Sequence, residues 1–180
     1  LIKYDKPSNI NNSKCIRNIT NWTTAKNYHK FDSKTFDKEK FTNDIKFASP
    51  KLNELLNNIQ NIDQKDLKNK GKLFKHFIFT DIKSASYGAK IIASGLISIG
   101  MESIQDSLNK NIILKNNNKK YNSFAIITSS SIFNQTLSVK LRKEILNIFN
   151  KRPDNIHGDN IRIIILDSSF KEGIDLFDVK

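Results

Sequence analysis

Three groups of residues each follow a short apolar run, and all three carry small hydroxyls of a type that can hold a phosphate. Thr80-Asp81, with Ser84 and Ser86 close behind, follows His76-Phe77-Ile78-Phe79. Ser129-Ser130-Ser131 follows Phe124-Ala125-Ile126-Ile127, and Asp167-Ser168-Ser169 follows Ile163-Ile164-Ile165-Leu166. Small hydroxyls before a helix or turn stand beside backbone N–H groups that lack an intrahelical partner, where the helix dipole also favours an anion. Ser and Thr at such places are also ordinary helix caps. One group alone therefore says little, whereas three on one edge of one sheet point to a phosphate-rich ligand. The third group continues into Phe170-Lys171-Glu172-Gly173-Ile174-Asp175. There Gly173 allows a tight turn or a close approach to a ligand. Asp175 can accept hydrogen bonds from a sugar hydroxyl or pair with a cation, and Glu172 reads as an ionic partner or a surface residue.

These residues need elements to position them. The runs 76–80, 121–128 and 162–166 read as strands, the last an unbroken apolar run suited to the middle of a sheet covered on both faces. Between them lie helical patterns over 85–100 and 136–150, the second with Leu137, Leu141, Ile145 and Ile148 on one face. Val179 opens a further strand. Alternating strands and helices imply right-handed crossovers, a parallel sheet and an α/β three-layer architecture, with ligands beyond the carboxyl ends of the strands. Upstream, Ser49-Pro50 reads as an N-cap and first helical residue, with Leu52, Leu55, Leu56 and Ile59 at helical spacing over 50–61. Residues 1–48 show aromatics without a sustained period and read as an irregular connector or insertion with one short helix. Trp22 and Tyr28 there read as anchors of a loop sooner than as platforms for stacked bases.

Composition sets the limits. At 180 residues the chain holds one domain, or one domain and an appendage, not a two-lobed machine. Thirty Lys+Arg against 18 Asp+Glu give +12, but 26 of the 30 are Lys and Asn is abundant, a bias that an AT-rich coding sequence also produces. The charge supports a polyanionic partner only in part. A single cysteine, Cys15, excludes an internal disulfide framework and fits a reducing compartment. The longest apolar stretch, 89–101, is too short for a membrane span. His29, His76 and His157 are too dispersed for a metal or acid-base motif, and His76, beside a buried strand, reads as structural. Lys140, Arg142 and Lys143 read as a solvated helix face. The chain starts at Leu1 with Met101 as its one methionine, and reads as a piece that has lost its natural start.

The run from Leu166 to Lys180, Leu-Asp-Ser-Ser-Phe-Lys-Glu-Gly-Ile-Asp-Leu-Phe-Asp-Val-Lys, resembles motif V of superfamily 2 helicases, in the form carried by helicase-like transcription factors and nucleic-acid-dependent ATPases of large DNA viruses, the poxviruses and giant viruses. Lys75 to Asp81 with Gly88 to Ala93 is similar to the motif IV strand and helix, preceded by Ser49-Pro50-Lys51-Leu52, and 149–158 leading into strand 162–166 is similar too. The resemblance covers about residues 49–180 and implies an incomplete second RecA-like lobe, stopping before motif VI, with 1–48 as its connector. It implies ATP with Mg2+ in a cleft against a first RecA-like lobe of the same polypeptide, and DNA or RNA across the top. By this likeness Ser168 and Ser169 match positions that touch the nucleic-acid backbone, with Thr80, Asp81, Ser129 and Ser130 as further contacts. Gly173 and Asp175, with Glu172 beside them, match the side facing the ATP ribose. The viral transcription machinery joins the implied partners, no membrane does, and the implied location is intracellular: a viral factory, a virion or the host cytoplasm.

The chemistry has gaps. Gly71-Lys72 is followed by Leu73 and has no glycine five residues earlier, so no phosphate loop is present, nor is an adjacent Asp-Glu pair that would hold magnesium. Without lysine cradle, metal site and arginine finger, phosphoryl transfer lacks its main electrostatic contributions, so this piece alone is not expected to hydrolyse ATP. The other readings are a catalytically silent RecA-like or Rossmann-like module that binds nucleic acid or a transcription complex, and a small-molecule nucleotide enzyme, which would need the Gly-rich first β-α turn that is missing.

Overall fold

The computed structural model describes residues 21–23, 36–83, 87–105, 112, 122–129, 136–170 and 172–180. Ser84, Ser86, Ser130 and Ser131, together with Cys15, Tyr28 and His29, lie outside the described residues.

Helix α1 (Lys38–Ala48) starts where the Asp37 carboxylate accepts the Lys40 N–H at 2.9 Å, and it buries Phe41, Ile45 and Ala48, one per turn. Helix α2 (Pro50–Lys70) begins as the sequence suggests: Ser49 Oγ accepts the Leu52 N–H at 3.3 Å and Pro50 takes the first helical position. It runs past the expected end at 61 to Lys70. The stretch 61–70 contains no Gly or Pro, and the stop comes at Gly71, which takes the left-handed conformation (φ 63°) that favours glycine.

Strand β1 (His76–Thr80), helix α3 (Ala89–Ser98), strand β2 (Glu102–Ser103), strand β3 (Ser123–Ile127), helix α4 (Val139–Asn150) and strand β4 (Ile163–Asp167) follow. The four strands form one all-parallel sheet in the order β1-β4-β3-β2. The fold is thus α/β with a parallel sheet, and β4, buried at every residue, holds the interior place that its apolar run implies. Alternate residues of the sheet face two cores. Phe124, Ile126, Ile163 and Ile165 pack with Phe41, Leu52, Leu56, Ile92 and Leu96 of α1, α2 and α3, while Ala125, Ile127, Ile164 and Leu166 pack with Ile145 and Phe149 of α4. Helices on both faces make three layers.

Trp22 is fully buried in the first core and stacks on Phe41 at 4.8 Å, as an anchor does. Strand β2 has no counterpart in the sequence reading. Only two residues pair, and Gln105 then continues the pairing with its side chain, its amide accepting the Ile126 N–H at 2.8 Å and donating to the Ile126 carbonyl at 2.9 Å. Val179 forms a single parallel bridge to Lys75 on the outer side of β1. Among the described residues no helix is long and apolar enough to cross a membrane.

Candidate functional site

Parallel register brings the strand ends together: Thr80 lies opposite Asp167, and Ile127 opposite Leu166. The organising group at this edge is Asp167, which is fully buried. Its Oδ2 accepts from the Thr128 hydroxyl, from the Ser129 N–H at 3.0 Å and from the Ser129 hydroxyl at 3.3 Å. Its Oδ1 accepts the Ser169 N–H at 2.9 Å. One carboxylate therefore fixes the tips of β3 and β4. The Ser169 hydroxyl donates to Ser129 Oγ at 2.8 Å on the exposed side of this node. Ser168 Oγ reaches the Asp81 carbonyl at 3.4 Å, which ties in the tip of β1. Thr80 is buried, and its hydroxyl accepts the Ile82 N–H at 3.2 Å, the local turn that Thr favours. Five of the predicted residues, Thr80, Asp81, Ser129, Ser168 and Ser169, thus share one edge, with Ser129 and Ser169 the exposed hydroxyls.

The segment with Glu172, Gly173 and Asp175 lies elsewhere. From the strand tips the chain runs back along the α4 side of the sheet, where Ile174, Leu176 and Val179 pack against the second core. At its far end the Asn150 amide, on the last residue of α4, donates to the Asp175 carbonyl at 2.8 Å and accepts the Phe177 N–H at 2.9 Å. Helix α4 crosses from the carboxyl end of β3 to the amino end of β4, so Asp175 sits toward the amino edge of the sheet. Glu172, Gly173 and Asp175 are exposed. Gly173 has φ 75°, and a Cβ placed on it would meet nothing within 4 Å, so backbone conformation and not space is what calls for glycine there. The Asp175 carboxylate makes no bond among the described residues.

Asp178 pins the segment in place. It adopts φ 58°, takes two hydrogen bonds from Arg152 (Nε at 3.0 Å, Nη2 at 2.6 Å) and lies 3.7 Å from Lys75 Nζ. The Arg152 guanidinium holds the Asp178 carboxyl below the usual carboxylate range. The Lys75 ammonium is fully buried, donates to the Phe149 carbonyl at 2.7 Å and sits 4.4 Å from the Phe149 ring centroid. Burial pushes its pKa down, against the pull of Asp178.

The remaining candidates have structural surroundings. His76 Nε2 stands 3.5 Å from Asp63, which also binds the Arg162 guanidinium, and His157 Nδ1 is 3.2 Å from the Leu73 carbonyl. Gly71 ends a helix. Among the described residues no three His, Cys, Asp or Glu side chains gather as a metal centre. Lys140 and Lys143 are exposed, whereas Arg142 is half-buried.

The sequence places Asp167 in the third group but gives no sign that it organises the hydroxyls, and it points neither to Thr128 nor to Asn150, which holds the Asp175 segment. A strand-final Asp after four buried apolar residues is the one available signal. No family model matches the chain, and no curated protein or solved structure matches it.

Proposed function

We propose that the chain is the second RecA-like lobe of an ATP-dependent nucleic-acid helicase or translocase of superfamily 2, of the viral transcription-related kind. It contributes phosphate-backbone contacts along the strand-tip edge and one side of an ATP cleft. The observation that carries this is the convergence of Ser129 and Ser169 on the Asp167 carboxylate, their hydroxyls paired on its exposed side. A motor that steps along any sequence must hold phosphates, because contacts to base edges would tie it to one site. The exposed hydroxyl pair suits such a grip. An arriving phosphate oxygen accepts the hydrogen bond of the Ser169 hydroxyl in place of Ser129 Oγ, and the backbone under it stays fixed by Asp167.

By the resemblance Asp175 is the group that faces the nucleotide, at the amino edge of the sheet and apart from the strand tips. Its carboxylate is exposed and unbonded among the described residues beside the open turn at Gly173, which fits an acceptor for ribose hydroxyls. Magnesium ligands and the lysine that cradles phosphate belong to the first lobe in this reading. A second reading, a silent binding module for nucleic acid or a transcription complex, shares the strand-tip edge but has no use for Asp175.

Asp175→Ala, in the intact protein, separates the two. A surface carboxylate without partners leaves stability within about 0.5 kcal/mol. ATP turnover is expected to fall about tenfold or more while oligonucleotide affinity holds, as checked by steady-state ATPase assays beside anisotropy titrations. Turnover equal to that of the unaltered protein would overturn the nucleotide role.

A further inference from the structure

Helix α4 begins beside the strand tips, and Arg142 lies in its first turns. The Arg142 Cζ stands 5.2 Å from the ring centroid of Phe170, the residue after Ser169 in the short 3-10 turn that ends β4. The Nε of Arg142 is covered by protein and has no hydrogen-bond partner among the described residues. Its two described counterparts are neutralised, Arg152 by Asp178 and Arg162 by Asp63, whereas Arg142 has no carboxylate partner among the described residues. A half-buried guanidinium held against a ring has already lost much of its rotamer freedom, so less is lost when it binds. Lys140 and Lys143, exposed on the same helix, add positive potential. A pre-positioned cation with no carboxylate partner among the described residues, laid on the residue next to Ser169, calls for an anion.

We propose that Arg142, laid on Phe170, grips a backbone phosphate of the bound nucleic acid next to Ser169. The inference rests on the nucleic-acid reading above and assigns to one side chain the strongest charge contact of that edge. Guanidinium suits the place because it presents planar paired donors to a phosphate and stacks on an aromatic face, neither of which an ammonium reproduces.

The test is anisotropy titration of a labelled single-stranded oligonucleotide across a salt series, with thermal melts of each variant alongside. Arg142→Gln is expected to weaken binding about fivefold or more, and to flatten the slope of log affinity against log salt by about 0.7, one phosphate's share for a single strand. Arg142→Lys keeps the charge and is expected to keep the slope while losing part of the affinity. Phe170→Leu leaves every charge in place, yet is expected to weaken binding because the shelf under Arg142 is gone. Binding by Arg142→Gln within twofold of the unaltered protein, with an unchanged slope, would overturn the assignment while leaving the function reading intact. Absence of binding by the unaltered protein would overturn both.

Discussion

Asp167→Ala is expected to lower the unfolding free energy by about 2–4 kcal/mol. The side chain is fully buried and accepts from two backbone N–H groups, those of Ser129 and Ser169, and from the hydroxyls of Thr128 and Ser129. A buried donor left without a partner costs about 1–3 kcal/mol, but water reaches the exposed side of this edge and compensates some of the loss. Asp167→Asn sharpens the expectation. The two carboxylate oxygens serve different N–H groups, and an amide keeps only one acceptor, so its NH2 must face either the Ser129 or the Ser169 N–H. A loss of about 1–2 kcal/mol follows for Asn, between the unaltered chain and Ala. Urea unfolding with an unchanged m-value reads both. The same variants are expected to weaken oligonucleotide binding, since the tips of β3 and β4 no longer hold one spacing. An Asn variant as stable as the unaltered protein would show that the two oxygens are not separately committed.

Asn155→Ala is expected to cost about 3–5 kcal/mol, as much as a large core truncation. Asn155 is fully buried, and its amide is used on both sides: Nδ2 donates to the Phe149 carbonyl at 2.9 Å and the Ile161 carbonyl at 3.0 Å, while Oδ1 accepts the Asn160 N–H at 2.8 Å and the Ile161 N–H at 3.1 Å. Four backbone groups between the end of α4 and the start of β4 depend on this one side chain. No other residue type offers two donors and two acceptors in that volume except Gln, which is one methylene too long. Asn155→Asp is expected to be at least as damaging as Ala, because a buried carboxylate would face two carbonyl oxygens in place of the amide protons. Denaturant midpoints for the two variants check the order, and an Asp variant more stable than the Ala variant would contradict it.

The strands β1, β3 and β4 were legible because their runs are short, β-branched or aromatic, and fully apolar where both faces are covered. Strand β2 was not, since a two-residue pairing continued by a glutamine side chain leaves no pattern in the chain. Residues 61–70 carry few apolar positions, so the second half of α2 gives little signal in a periodicity reading even though nothing in it breaks a helix before Gly71. Phe41, Ile45 and Ala48 give α1 only three buried points among eight polar or exposed ones. At the candidate site the hydroxyls were legible because ligand groups follow strand ends in parallel sheets. Their organiser was not, because one Asp after an apolar run is also a common way to end a strand. The position of Asp175 depends on the Asn150 amide and on the Arg152–Asp178 pair, contacts spanning 25 and 26 residues that only the folded chain reveals.

The strand-tip edge is proposed to hold nucleic acid by its phosphates. This is tested most directly by comparing the unaltered protein with Ser168→Ala/Ser169→Ala in oligonucleotide titrations from low to high salt. The expected result is an affinity for the unaltered protein that falls steeply and linearly on a log–log scale as salt rises, about equal for unrelated sequences. The double variant should bind about threefold to tenfold more weakly with an unchanged melting temperature. An affinity indifferent to salt, or a double variant that binds like the unaltered protein, would contradict it.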